Sequence, residues 1–193
     1  MNRSETTTLL RSAKDGSEEA LNALFERCAG KLLALIRLRL DRKLRERLES
    51  RDILNAALLK AFQRINSFEE DNAASLMGWL ARIAENVIRD QRDYHGRQRR
   101  DMAREVGIEQ DLDILEGRIR SQTSRLVLAQ ELEQLEHAMQ SLEQTHREVI
   151  LLRQLEELSF AEIGERMGRT PDACRMLLAR AMTALTLQMR DES

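Results

Sequence analysis

The chain is poor in the residues that bend or interrupt helices. Proline occurs once among 193 residues, at Pro171, and glycine eight times. Aromatic side chains make up 3% of the sequence, so a sheet-built core, which leans on aromatic and β-branched residues, is not expected. The two cysteines, Cys28 and Cys174, offer neither a disulfide framework nor zinc spacing, and His95, His137 and His146 are scattered. No metal and no cofactor is therefore expected. A Gly-rich phosphate loop, a nucleophile elbow and a His–carboxylate constellation are all missing, which argues against an enzyme. No apolar run approaches the ~20 residues that span a bilayer, so no membrane span is expected. The segment MNRSETTTLLRSAKDG lacks the apolar stretch of a secretory signal, and a cytoplasmic location is the expectation.

What is abundant is Leu, Ala, Arg and Glu, a helix-forming mixture, with 42% hydrophobic residues overall. The expected fold class is all-α, with two small helical domains joined by a linker. The net charge is −2, but it is unevenly spread. Residues 1–100 carry 20 basic against 15 acidic side chains, and residues 101–193 carry 11 against 18. Such asymmetry can hide a DNA-binding face beneath a neutral total.

Helical spacing begins after Asp15-Gly16-Ser17, where Ser17 is suited to cap a helix carrying Leu21, Leu24, Phe25, Cys28, Leu32 and Leu35 on one face. Cys28 on that stripe reads as a small buried hydrophobe. Arg37 to Arg51 is dense in cations, which suit either a solvated face or DNA phosphates. A second helix is expected from about Ser50 to Ile65, with Ile53, Ala57, Leu58, Ala61 and Phe62 inward. Ser67 to Ser75 reads as a loop. A third helix starts near Leu76 and carries Trp79, Leu80, Ile83, Val87 and Ile88. Residues 105–124 form the least regular stretch, read as an acidic linker, and helical pattern resumes at Leu126.

The most specific local signal lies near the C-terminus. Ser159 and Glu162 have the spacing of a capping box, Gly168 suits a turn with positive φ, and Thr170-Pro171 opens a further helix. This punctuation predicts a helix-turn-helix. On its second helix Cys174, Leu177, Leu178, Ala181 and Leu185 form the inward stripe. Arg169, Thr170, Asp172, Arg175, Met176, Ala179 and Arg180 lie outward or at the helix start, where arginines can meet guanine edges or phosphates.

Leu142 to Leu185, with its Arg147-Glu148-Val149 triplet, resembles the −35-reading domain of bacterial sigma factors. The family usually has proline where Glu143 stands. The N-terminal half resembles the same family independently. Asp52-Ile53-Leu54-Asn55 through Lys60-Ala61-Phe62 is similar to its polymerase-docking helix. Trp79-Leu80-x-Arg82-Ile83-Ala84-x-Asn86, followed by Asp90 and Arg92, is similar to its −10-reading helix. No domain-sized insert separates the two, as in the short extracytoplasmic-function (ECF) group.

The resemblance implies residues 1–98 as a core-docking and −10-melting domain, 99–125 as a linker passing near the polymerase active site, and 126–193 as the −35-reading domain. It implies core RNA polymerase, through its clamp and flap, and promoter DNA as partners, with an anti-sigma factor as a further one. It implies polymerase contacts by Glu49, Asp52, Asn55 and Leu59. It implies −10 contacts by Asn72 and Ser75 in a loop that receives a flipped base, and by Arg82, Asn86, Arg89 and Arg92. It assigns −35 contacts to Arg169, Thr170, Asp172, Arg175, Met176, Ala179 and Arg180. One departure stands out. Arg51 and Ala56 occupy positions where the family commonly has acids, so weaker core binding is expected. A conventional helix-turn-helix regulator would explain the C-terminal half but leave the Trp79 and Asp52 motifs unexplained, and the alternative of another class is a helical adaptor whose basic faces only solubilise it.

Overall fold

The computed structural model describes residues 3–40, 44, 48–68, 76–98 and 133–191. The loop residues Asn72 and Ser75 and the linker 99–125 lie outside the described residues. Among the described residues there is no strand, and no helix is long and apolar enough to cross a membrane.

Four helices build the N-terminal half. Helix α1 is Arg3–Lys14, α2 is Glu18–Arg39, α3 is Ser50–Arg64 and α4 is Leu76–Gln98. The first was not anticipated, since its Thr-rich opening has modest helix propensity. It forms because Leu10 and Ala13 bury against α2. Ser17 caps α2 as expected, accepting from the Ala20 N–H at 3.2 Å. Helix α2 packs against α1, α3 and α4, and its stripe Leu24, Cys28, Leu32, Leu35 and Ile36 is essentially inaccessible. A short 3-10 turn, Ile65–Ser67, follows α3 and delivers Phe68 to the half-buried Trp79, with ring centroids 5.1 Å apart. That contact anchors the start of α4.

Residues 133–141 form α5, Gln144–Ile150 is α6, Phe160–Met167 is α7 and Pro171–Asp191 is α8. The Arg147-Glu148-Val149 triplet has a structural logic here. Arg147 donates to the carbonyls of Met139, Gln140 and Leu142 at 2.9, 2.9 and 3.2 Å, closing the end of α5. Val149 is fully buried, while Glu148 points to Arg39. Beyond α6 the chain widens into a π turn, Leu151–Leu155.

Burial pushes the Cys28 thiol up to about 11, against the milder pull of Arg27 and Lys31. The thiolate is then rarer by roughly a hundredfold at pH 8 than for a thiol at its ordinary value. Cys174 is also fully buried. A thiol reagent at pH 8 should therefore label neither cysteine of the native protein rapidly, and both after denaturation. Fast native labelling of Cys28 would contradict this burial.

Candidate functional site

The helix-turn-helix forms as the spacing predicts. Ser159 and Glu162 close a reciprocal capping box: the Ser159 N–H donates to Glu162 Oε2 at 2.7 Å, and the Glu162 N–H to Ser159 Oγ at 3.3 Å. Gly168 takes φ 64°, the left-handed conformation glycine adopts without penalty. Thr170 caps α8, accepting from the Ala173 N–H at 3.2 Å. One side of α8 is locked into the core by Cys174, Ala181 and Leu185, with Leu177 and Leu178 half-buried. Arg169, Thr170, Asp172, Arg175, Met176, Ala179 and Arg180 are all exposed.

Arg175 is held on both sides. It pairs with Asp172 one turn back, and its guanidinium lies 5.1 Å from the Phe160 ring. Arg153 sits 4.9 Å from the same ring and donates to the Leu158 carbonyl at 2.7 Å. Phe160 is thus a platform for two guanidiniums, which the sequence pattern did not reveal. The Asp172–Arg175 pair is exposed, so exchanging it for a phosphate costs about 1 kcal/mol at most.

Two further faces lie on the N-terminal domain. On α4, Arg82, Asn86, Arg89 and Arg92 recur at helical spacing and are exposed, and Arg89 donates to the Asn86 carboxamide oxygen. On α3, Glu49, Asp52 and Leu59 are exposed and Asn55 is half-buried. Here one expectation is corrected. Phe62 is not inward: it is 53% exposed, beside Leu59 at 50%. The inner face of α3 is already filled by Ile53, Leu54, Ala57, Leu58 and Ala61, leaving Phe62 on the flank. Leu59 and Phe62 thus form an exposed apolar pair on the outer side of α3.

Arg37 and Arg39 are a second correction. Both are paired with carboxylates of other elements, so neither simply faces water. Arg37 Nε lies 2.5 Å from Glu136, and Arg39 pairs with Glu85, Glu148 and Glu156. Among the described residues no group of three or more His, Cys, Asp or Glu is arranged to hold a metal.

Comparison with known proteins matches both halves in the same order. The family model described as Sigma-70 region 2 matches residues 24–100, and that described as Sigma-70, region 4 matches residues 132–185. The chain belongs to the sigma-70 family, as a sigma factor of the ECF type. It is 28% identical over 187 residues to the ECF RNA polymerase sigma-E factor of Escherichia coli strain K12, covering 92% of this chain and 90% of that protein. It is 28% identical over 182 residues to the RNA polymerase sigma-H factor of Pseudomonas aeruginosa, with the same coverage. Among solved structures, CnrH in complex with the cytosolic domain of CnrY matches with a TM-score of 0.56 at 20% identity, over 98% of this chain and 99% of CnrH. The sigma factor RpoE of Bartonella quintana, solved with the anti-sigma factor NepR, matches with a TM-score of 0.53 at 18% identity, over 90% and 98%. The two structural likenesses establish the fold. As a sigma factor the chain binds core RNA polymerase and directs promoter-specific initiation.

Proposed function

We propose that this sigma factor works through three exposed faces and no catalytic group. The α3 face, Glu49, Asp52, Asn55 and Leu59 with Phe62 added, docks on the polymerase clamp. The α4 face, Arg82, Asn86, Arg89 and Arg92, takes the −10 strand together with Asn72 and Ser75, which lie outside the described residues. The α8 face, Arg169, Thr170, Asp172, Arg175, Met176, Ala179 and Arg180, takes the −35 duplex. Binding energy alone drives strand opening. The observation that carries this proposal is the outward stripe of α8, exposed along its length while its opposite side is buried. An anti-sigma protein covering these faces would silence the factor, and both structural neighbours described above were solved with such a partner or a cytosolic domain bound. Their action belongs beside the polymerase, in the cytoplasm.

Electrophoretic mobility shift with and without core polymerase tests it. The sigma factor alone should bind promoter duplex weakly and with a steep salt slope. With core present it should acquire sequence preference at both elements. Tight, core-independent binding to one duplex site would instead mark a conventional helix-turn-helix regulator.

The α3 face also carries a charge defect. Arg51 is exposed beside Asp52, where the basic clamp would prefer an acid. Arg51→Glu should tighten core binding about fivefold at low salt, with less gain at high salt. An unchanged dissociation constant by fluorescence titration would remove Arg51 from the interface.

A further inference from the structure

Side chains from the π turn, α7 and α8 meet around the Phe160 ring. Arg153, in the π turn, donates to the Leu158 carbonyl at 2.7 Å and lays its guanidinium 4.9 Å from the ring centre. Phe160 itself opens α7 and is half-buried against the core. Arg175 of α8 brings its guanidinium to 5.1 Å from the same ring and donates through Nη1 to Asp172. Its side chain nevertheless stays 55% exposed, open to a ligand. Arg169 and Arg180, the neighbouring outward cations, make no side-chain hydrogen bond, ion pair or ring contact among the described residues.

We propose that Phe160, which lies outside the recognition helix, is a positioning residue for −35 specificity: it holds the Arg175 guanidinium in the orientation that reads a guanine. The inference rests on α8 being the −35-reading helix. Arg175 is the fifth residue of α8, in the N-terminal part of the helix that reaches base edges in a helix-turn-helix.

A phosphate accepts a cation from many directions, so a flexible arginine serves it well. A guanine edge differs. Its O6 and N7 acceptors lie side by side in the major groove, and a guanidinium bonds both only when its fork is presented in their plane. Ordering the side chain before contact therefore favours base reading, because less freedom is lost on binding. Asp172 engages Nη1, which leaves the Nε and Nη2 donors of Arg175 without a partner among the described residues. Those two form an edge of the fork that a guanine can accept. The ring attracts the guanidinium through its electron-rich face, and an aliphatic side chain of similar size would not. Arg153, tied to a backbone carbonyl, restrains the ring in turn. Phe160 thus acts on the DNA through Arg175, with no base contact of its own.

The test is initiation by reconstituted holoenzyme on templates with a randomised −35 element, read as the preference for guanine at each position. The wild-type factor should prefer guanine at a position where Arg175→Ala abolishes the preference. Phe160→Leu should lower that preference about fivefold. It should leave the other −35 positions, the −10 preferences and core affinity unchanged. Phe160→Tyr keeps the ring and should stay within about twofold of wild type. Phe160→Leu combined with Arg175→Ala should match Arg175→Ala alone, which a role in packing would not produce. Phe160→Met, also apolar and without a ring, should repeat the leucine result, and replaces it should the leucine variant lose helicity by circular dichroism.

An unmoved preference in the leucine and methionine variants would overturn the proposal. So would a loss spread evenly over the −35 positions, or an equal loss in Phe160→Tyr, since either marks simple packing. A guanine preference lost in Arg175→Ala but kept in Phe160→Leu would overturn the role of Phe160 and leave α8 as the −35 reader. A wild-type holoenzyme with no −35 preference at all would overturn both.

Discussion

Replacing Gly164 by alanine will destabilise the helix-turn-helix. A Cβ on Gly164 would stand 2.6 Å from the Arg169 carbonyl oxygen, a backbone atom that cannot swing aside. The Gly164 carbonyl itself accepts from the Gly168 and Arg169 N–H groups, the latter at 2.9 Å, so the helix end and the turn are knotted at this residue. An added methyl must push α7 away from the turn that aims α8. Overpacking of this kind costs about 1–3 kcal/mol. In urea unfolding, Gly164→Ala should lose roughly that much, and transcription from promoters that need a −35 element should fall at least tenfold. Wild-type stability and full −35 dependence would show that the turn has room the geometry denies.

The second large effect is expected at Phe62. A half-exposed phenylalanine beside a half-exposed leucine contributes little to the fold, so Phe62→Ala should change stability by no more than about 0.5 kcal/mol. If the pair fills a pocket on the clamp, each is a central apolar anchor whose truncation costs about 2 kcal/mol of binding. Core affinity should then drop roughly thirtyfold for Phe62→Ala and for Leu59→Ala. Initiation should fall in step at limiting core and recover at saturating core. An unaltered dissociation constant for Phe62→Ala would mean that α3 docks through its charges alone.

These residues illustrate what could be read from sequence. The capping box at Ser159–Glu162, Gly168 and Pro171 are local signals, each decided within four residues, and all stand where the spacing put them. The buried stripes of α2 and α8 follow from 3.6-residue periodicity. Phe62 is apolar and borders the buried positions Leu58, Ala61 and Ile65, so its pattern reads as inward. Periodicity cannot tell a core edge from a docking surface when both want hydrophobic side chains. Gly164 looked like any helical glycine, and its need for hydrogen in place of Cβ arises only when the turn folds back over it. The Arg39 cluster was illegible for a different reason. The partners of Arg39 lie 46 to 117 residues away in sequence, and a dense run of arginines looks the same whether it faces water, phosphate or carboxylates of another element.

The same geometry explains why net charge is a poor guide to this protein. Arg37, Arg39, Lys31 and Arg166 are paired with carboxylates of other elements, while the outward arginines of α4 and α8 are exposed.

The most direct test is reconstituted transcription, with purified core polymerase and this sigma factor on a promoter library. Core alone should give no specific starts. Adding the sigma factor should select a discrete set of templates that share one −10 and one −35 sequence. The spacing between those elements should be fixed, and starts should be lost when Arg175 and Arg180 are both replaced by alanine. A library transcribed no more selectively with the factor than without it would contradict promoter specificity as the function of this chain.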